Sequence, residues 1–153
     1  GCNAKNVIAI KKLNKIKNRS GPMSVIATNK KTAISWMAIK NDEKNIVKNK
    51  LINGNTVIVP VKKNICSKLI TGNNHSLGIR IPKHSFCQKL TNFFPDPITS
   101  TSVNKTGGKP LTNSNDIFTE FSKEIDLIID GGVLNGTGSK IFLFNNGSWE
   151  KLR

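Results

Sequence analysis

Val7, Ile10, Leu13 and Ile16 recur at near-helical intervals between lysines, a spacing that predicts an amphipathic helix over Asn3–Asn18, stopped by Ser20-Gly21-Pro22. A short apolar strand follows at Met23–Ala27, then helical stretches around Lys30–Ile39 and Asp42–Lys50, and an Asn53-Gly54-Asn55 turn. Thr56–Val61 is the next strand. Leu77–Ile81 reads as another, closed by Pro82, and His84–Phe94 as a helix that Pro95-Asp96-Pro97 terminates. Further on, the pattern predicts a strand at Ile98–Thr101, a helix at Asn115–Phe121, a buried strand at Leu127–Asp130, and a hairpin of Lys140–Phe144 with Trp149–Leu152 across Asn146-Gly147. Strands and helices alternate throughout, which defines a mixed α/β (α+β) class with a twisted mixed parallel/antiparallel sheet and flanking helices, in one domain over residues 1–153. No internal repeat or linker interrupts it.

A hydrophobic content of 37% in 153 residues is enough for a single core. The three cysteines, Cys2, Cys66 and Cys87, are odd in number and widely spaced, so neither a disulfide framework nor a zinc site is indicated. No apolar run approaches the roughly 20 residues of a membrane span, and no signal peptide is visible, so the expectation is a soluble cytoplasmic protein without a membrane partner. The chain starts at Gly1 rather than Met, as a processed chain does, or one that begins inside a longer sequence.

The formal net charge of +15 favours polyanionic partners, nucleic acid first among them. Its distribution is uneven. All but three of the 24 cationic residues are lysine, so Arg19, Arg80 and Arg153 mark places where an ammonium would not serve. A planar guanidinium grips phosphate or carboxylate through two parallel bonds, which lysine cannot reproduce. The run Ile98-Thr-Ser-Thr-Ser-Val-Asn-Lys-Thr-Gly-Gly-Lys-Pro110 joins a strand end to hydroxyl and amide side chains and a Gly-Gly turn, a surface able to hold phosphate oxygens. The same residue types also make ordinary turns. Trp36 and Trp149 read as packing residues, since neither is flanked by the aromatic and basic pattern of a base-stacking surface, and His84, which begins a helix after a proline, reads as a capping or packing residue and not an acid/base.

Taken in order, these segments resemble the signatures of the YrdC-like family, specifically its bacterial threonylcarbamoyl-AMP synthases. Lys17-Asn18-Arg19 resembles the family's Lys-x-Arg, and Pro22-Met23-Ser24-Val25 its Pro-Leu-Ser-Val strand. Gly78-Ile79-Arg80-Ile81-Pro82 with His84 is similar to Val-Arg-x-Pro-x-His. Thr101-Ser102-Val103-Asn104 with Thr106-Gly107 is similar to Thr-Ser-Ala-Asn-x-Ser-Gly. Leu127–Gly132, Ser139-Lys140-Ile141 and Leu152-Arg153 resemble its late elements. The family's opening strand with its Pro-Thr-Asp-Thr motif is represented only by Gly1-Cys2-Asn3-Ala4. Further departures are Ser20 for Pro, Asn53-Gly54-Asn55 for Pro-Gly-Pro, Val103 for Ala, Thr106 for Ser and Lys140 for Thr.

The resemblance implies a YrdC-like fold and synthesis of threonylcarbamoyl-AMP from L-threonine, bicarbonate and ATP, with release of pyrophosphate and with Mg2+ on the nucleotide. The product would pass to a tRNA threonylcarbamoyl transferase complex. It further implies an ATP site at Lys17, Arg19, Ser76, Ser102, Asn104 and Arg153, and a threonine site at Arg80, Ser100 and Ser139. No covalent nucleophile is implied, because positioning and electrostatics suit this chemistry. Two alternatives stay open at this point: a catalytically impaired scaffold that binds tRNA or double-stranded RNA through its lysines, and a carbamoyl-transferring relative using the same adenylate logic.

Overall fold

The computed structural model describes residues 1–153 and builds one six-stranded open sheet in the order β4-β1-β3-β2-β5-β6. The strands are β1 (Ser24–Ile26), β2 (Thr56–Pro60), β3 (Ser76–Arg80), β4 (Ile98–Ser100), β5 (Ile141–Asn145) and β6 (Ser148–Lys151). Two pairs, β1 with β3 and β2 with β5, are parallel; the other three are antiparallel. The helices are α1 (Val7–Lys17), α2 (Lys30–Trp36), α3 (Asn41–Lys50), α4 (Ser85–Phe93) and α5 (Ser114–Phe121). The mixed sheet with flanking helices is the architecture expected from the pattern.

Local chemistry explains the helix boundaries. Asn6 caps α1 by accepting from the Ala9 N–H at 3.0 Å, so the helix starts four residues later than its apolar spacing suggested. Its end is set by Asn18, which adopts the left-handed conformation (φ 50°, ψ 50°) and donates its N–H to the last carbonyls of the helix. Asn29 and Asn113 cap α2 and α5 in the same way, accepting from Thr32 N and Asp116 N, each at 2.9 Å. His84 stands at the cap position of α4 but makes no side-chain cap bond.

The core lies between sheet and helices. Val25, Val57, Val59, Leu77 and Ile79 from the strands meet Ile10 of α1, Ala33 and Trp36 of α2 and Val47 of α3. Trp149 packs on the β5–β6 hairpin, 4.9 Å from Phe144 between ring centres and edge-on to Phe142 at 6.2 Å. Asn146 and Gly147 both take positive φ (47° and 80°), the turn chemistry that a two-residue hairpin connection requires.

Leu127–Asp130 is not the buried strand its hydrophobicity suggested. Leu127 is 75% and Ile129 55% exposed, and the run pairs with no strand. Apolar side chains do not make a strand without a ladder to join. The outer edge of β4 is already occupied by the N-terminal segment, with an Asn3–Ile98 bridge and a bond from Thr99 N to the Cys2 carbonyl at 2.8 Å.

Candidate functional site

Residues 24, 78, 80, 56 and 100 project to one face of the sheet, because successive strand side chains alternate between faces and the register sets Ser24 opposite Gly78 and Ser100, and Arg80 opposite Thr56. Over this face opens a cleft of about 690 Å³. The Thr101–Val103 and Pro110–Thr112 segments form one wall, and the Gly136–Ser139 segment with Arg153 forms another. That volume suits a ligand of nucleotide or small cofactor size.

Arg19, Arg80 and Arg153 all line the cleft, and no aspartate or glutamate does. Arg19 enters from the residue after the left-handed Asn18 and donates from Nη2 to the Pro22 carbonyl at 2.5 Å. Arg153 donates from Nε to the Ser139 carbonyl at 3.0 Å. Arg80 sits deepest. Its Nη2 lies 3.7 Å from where a Cβ on Gly54 would stand, an ordinary contact distance, so glycine is required in the Asn53-Gly54-Asn55 turn by its positive φ and not by the guanidinium. The buried Nε of Arg80 has no hydrogen-bond partner. Burial holds its pKa below the ordinary arginine value and neighbouring Arg153 adds to the effect, while the group remains protonated at physiological pH. A partly desolvated guanidinium that shares its cleft with two more guanidinium groups is organised to receive an anion.

Hydroxyl groups complete the cleft. Ser24, Ser100, Ser102, Thr56 and Ser139 all contribute to its lining, and the Thr56 and Ser139 hydroxyls are paired at 2.8 Å. Gly78 is what lets the floor close. A Cβ there would stand 2.6 Å from Ser24 Oγ and 3.2 Å from Thr56 Cγ2, so only glycine admits the two hydroxyl-bearing side chains.

Six of the nine residues expected from sequence therefore share one cleft: Arg19, Arg80, Ser100, Ser102, Ser139 and Arg153. Three do not. Ser76 lies on the same face as Arg80 but at the opposite end of β3, four residues away, beyond the cleft lining. Lys17 belongs to the helix side of the Asn18 turn and passes behind the Ser102–Asn104 loop, where it is only 4% exposed. Asn104 also faces behind the loop, its Oδ1 accepting from Lys17 and Ser102 and its Nδ2 donating to the Gly108 carbonyl at 2.7 Å. Ser24, Thr56 and Gly78 were not assigned a role from sequence. Ser24 and Gly78 stood inside recognised motifs, whereas nothing local distinguished Thr56 from any strand threonine.

No group of three or more His, Cys, Asp or Glu residues is placed to hold a metal, and no helix is long and apolar enough to cross a membrane.

These features define an open-sheet α/β protein with a cationic, hydroxyl-lined cleft built for an anionic ligand. The chain belongs to the Sua5/YciO/YrdC family, whose model, described as telomere recombination, matches residues 1–153. It is 28% identical over 145 residues to a threonylcarbamoyl-AMP synthase of Idiomarina loihiensis, covering 90% of this chain and 77% of that protein. It is 38% identical over 76 residues to the threonylcarbamoyl-AMP synthase of Photobacterium profundum, covering 50% of this chain and 40% of the relative. The crystal structure of P. abyssi Sua5 complexed with L-threonine has the same fold, with a TM-score of 0.86 at 23% identity over 99% of this chain. This chain spans 45% of that protein's length.

Proposed function

We propose that this chain makes threonylcarbamoyl-AMP from L-threonine, bicarbonate and ATP, releasing pyrophosphate, as a nucleotidyltransferase serving threonylcarbamoyladenosine formation in tRNA. The observation that carries this reading is the convergence of Arg19, Arg80 and Arg153 on one cleft without an aspartate or glutamate. Relatives of this chain bear the synthase name, and one related structure was solved with threonine.

The reaction needs such a site. The threonine amine adds to bicarbonate with loss of water, giving a carbamate; its oxygen then attacks the α-phosphorus of ATP and pyrophosphate leaves. Two anions must approach each other, and at a few ångströms in a partly desolvated cleft their repulsion costs several kcal/mol. Fixed guanidinium groups offset it without reorganising during the reaction. Arg80 takes the threonine carboxylate, and Ser100 with the Thr56–Ser139 hydroxyl pair surrounds the rest of the amino acid. Arg19, Arg153 and the Ser102 wall take the nucleotide. Magnesium would be brought by the nucleotide and would offset charge on its phosphates, since no aspartate or glutamate lines the cleft to hold it.

The test is pyrophosphate release by the purified chain. The expected result is release only when ATP, threonine and bicarbonate are all present, and its loss in Arg80→Ala and Arg19→Lys with the fold retained. Release without threonine, or full activity in both variants, overturns the reading.

A second reading, RNA binding, is favoured by one observation: only two ion pairs form, Lys5–Asp96 and Lys12–Asp126, so nearly all the lysine charge stays unpaired on the surface. That role predicts RNA affinity falling steeply with salt and insensitive to Arg80→Ala.

A further inference from the structure

Lys17 is the most heavily engaged lysine in the chain. Its ammonium has three N–H donors, and three oxygens take them: the Ser102 carbonyl at 2.8 Å, the Asn104 carbonyl at 2.8 Å and Asn104 Oδ1 at 3.1 Å. Its own carbonyl accepts from the Thr106 N–H at 3.0 Å and from the Thr106 hydroxyl at 2.9 Å. Segment 102–108 is thus folded around one residue, gripped through side chain and main chain together. Nothing else in the chain makes a comparable set of bonds to this loop, and no carboxylate shares the ammonium.

We infer that Lys17 is a positioning residue that acts on the ligand through Ser102, rather than a group that itself contacts phosphate. The decisive atom is Asn104 Oδ1, which receives two donors, Lys17 Nζ and the Ser102 hydroxyl. When a phosphate oxygen arrives, the Ser102 hydrogen must turn away from Asn104 toward the cleft. Lys17 makes that turn inexpensive, because the amide oxygen it leaves behind keeps a charged partner. The Asn104 amide stays anchored meanwhile through Nδ2 on the Gly108 carbonyl. Burial, with the Arg19 charge nearby, lowers the Lys17 pKa, and the three protein oxygens work against that shift by favouring the ammonium. This inference rests on the reading of the cleft as a nucleotide site.

Two measurements on the whole chain test it. The first is a double-mutant cycle on ATP affinity by titration calorimetry, using Lys17→Met, Ser102→Ala and the pair. Each single change is expected to weaken ATP by about tenfold or more, as for the loss of one charge-supported contact, and the pair no more than the worse single. Losses that multiply would mean Lys17 meets the phosphate independently, and would overturn the inference. The second is amide exchange without ligand. Lys17→Met is expected to strip protection from the Thr106 and Leu111 amides, which bond to the Lys17 and Val103 carbonyls; unchanged protection overturns the inference. Should Lys17→Met not fold, Thr106→Val removes the hydroxyl bond from outside the cleft and is expected to reproduce both effects in weaker form; wild-type behaviour in both overturns it. A wild-type chain that binds no ATP would remove the nucleotide reading, and the exchange measurement would still decide whether Lys17 holds the loop.

Discussion

The Arg153 guanidinium lies flat against Gly138. Its Cζ, Nη2 and Nη1 sit 3.1, 3.2 and 3.3 Å from the point where a Cβ on that glycine would stand. The same guanidinium is fixed by its Nε bond to the neighbouring Ser139 carbonyl. Gly138→Ala therefore meets the far end of a flexible, exposed side chain, which can swing away at little cost. Expected is a change in unfolding free energy within about 0.5 kcal/mol, with ATP affinity falling as the Arg153 guanidinium is pushed off its present position. Denaturant titration and calorimetry on the same preparation separate the two. A variant that loses stability but not affinity would mean Arg153 is placed by packing alone.

Gly78 presents the opposite case. Here the missing Cβ would press on Ser24 Oγ at 2.6 Å and, more lightly, on Thr56 Cγ2 and Ser24 Cβ, which the strand register holds beside residue 78. Gly78→Ala is expected to cost about 1–3 kcal/mol, the usual range for overpacking. Removing the obstructing hydroxyl in Ser24→Ala/Gly78→Ala recovers part of that loss, leaving the milder contacts with Ser24 Cβ and Thr56 Cγ2. A denaturant midpoint that does not recover in the double variant would show the strain lies in the backbone.

How much of this was legible in the chain follows from the range of each interaction. Turns are local, so Asn146-Gly147 could be read directly; α1 ends close to where the pattern put it, but at the left-handed Asn18 and not at Ser20-Gly21-Pro22. The arginines were legible through scarcity, and all three line the cleft. The orientation of Lys17 and Asn104 was not, because residue type shows what a side chain can bond to and not which side of a loop it occupies. Leu127–Asp130 failed for a related reason. A strand is a relation between two segments, and the sequence window contains only one of them.

Cys66 supplies a pH dependence. Burial raises its thiol from an ordinary value of 9.0 to about 11, so the folded chain keeps a proton there that the unfolded chain gives up. Between pH 9 and about 11 the folded state binds more protons, and stability falls as pH rises through this window. The loss over this window is at most a few kcal/mol. Cys87, also raised by burial, works in the same direction. Denaturant midpoints at pH 8 and 10.5 are expected to differ less in Cys66→Ala than in the parent chain. An equal difference would assign the alkaline loss to other groups.

Asn18 ties backbone geometry to the cleft most directly. Its left-handed conformation ends α1 and turns the chain, so that Lys17 faces behind the Ser102 loop while Arg19, two residues on, faces the cleft. Asparagine tolerates that conformation, glycine adopts it freely, and alanine meets a steric cost of about 1–2 kcal/mol. Asn18→Gly is therefore expected to leave stability and ATP affinity near the parent values. Asn18→Ala has two ways to respond. It can keep the turn and lose stability, or let the helix run on, which would rotate Arg19 by roughly 100° about the helix axis for each added residue and carry it off the cleft. The first outcome lowers the denaturant midpoint with affinity intact. The second lowers affinity as far as Arg19→Ala does. Both follow from a strained turn at residue 18, whereas an Asn18→Ala chain matching Asn18→Gly in both measurements would show that the turn does not divide Lys17 from Arg19.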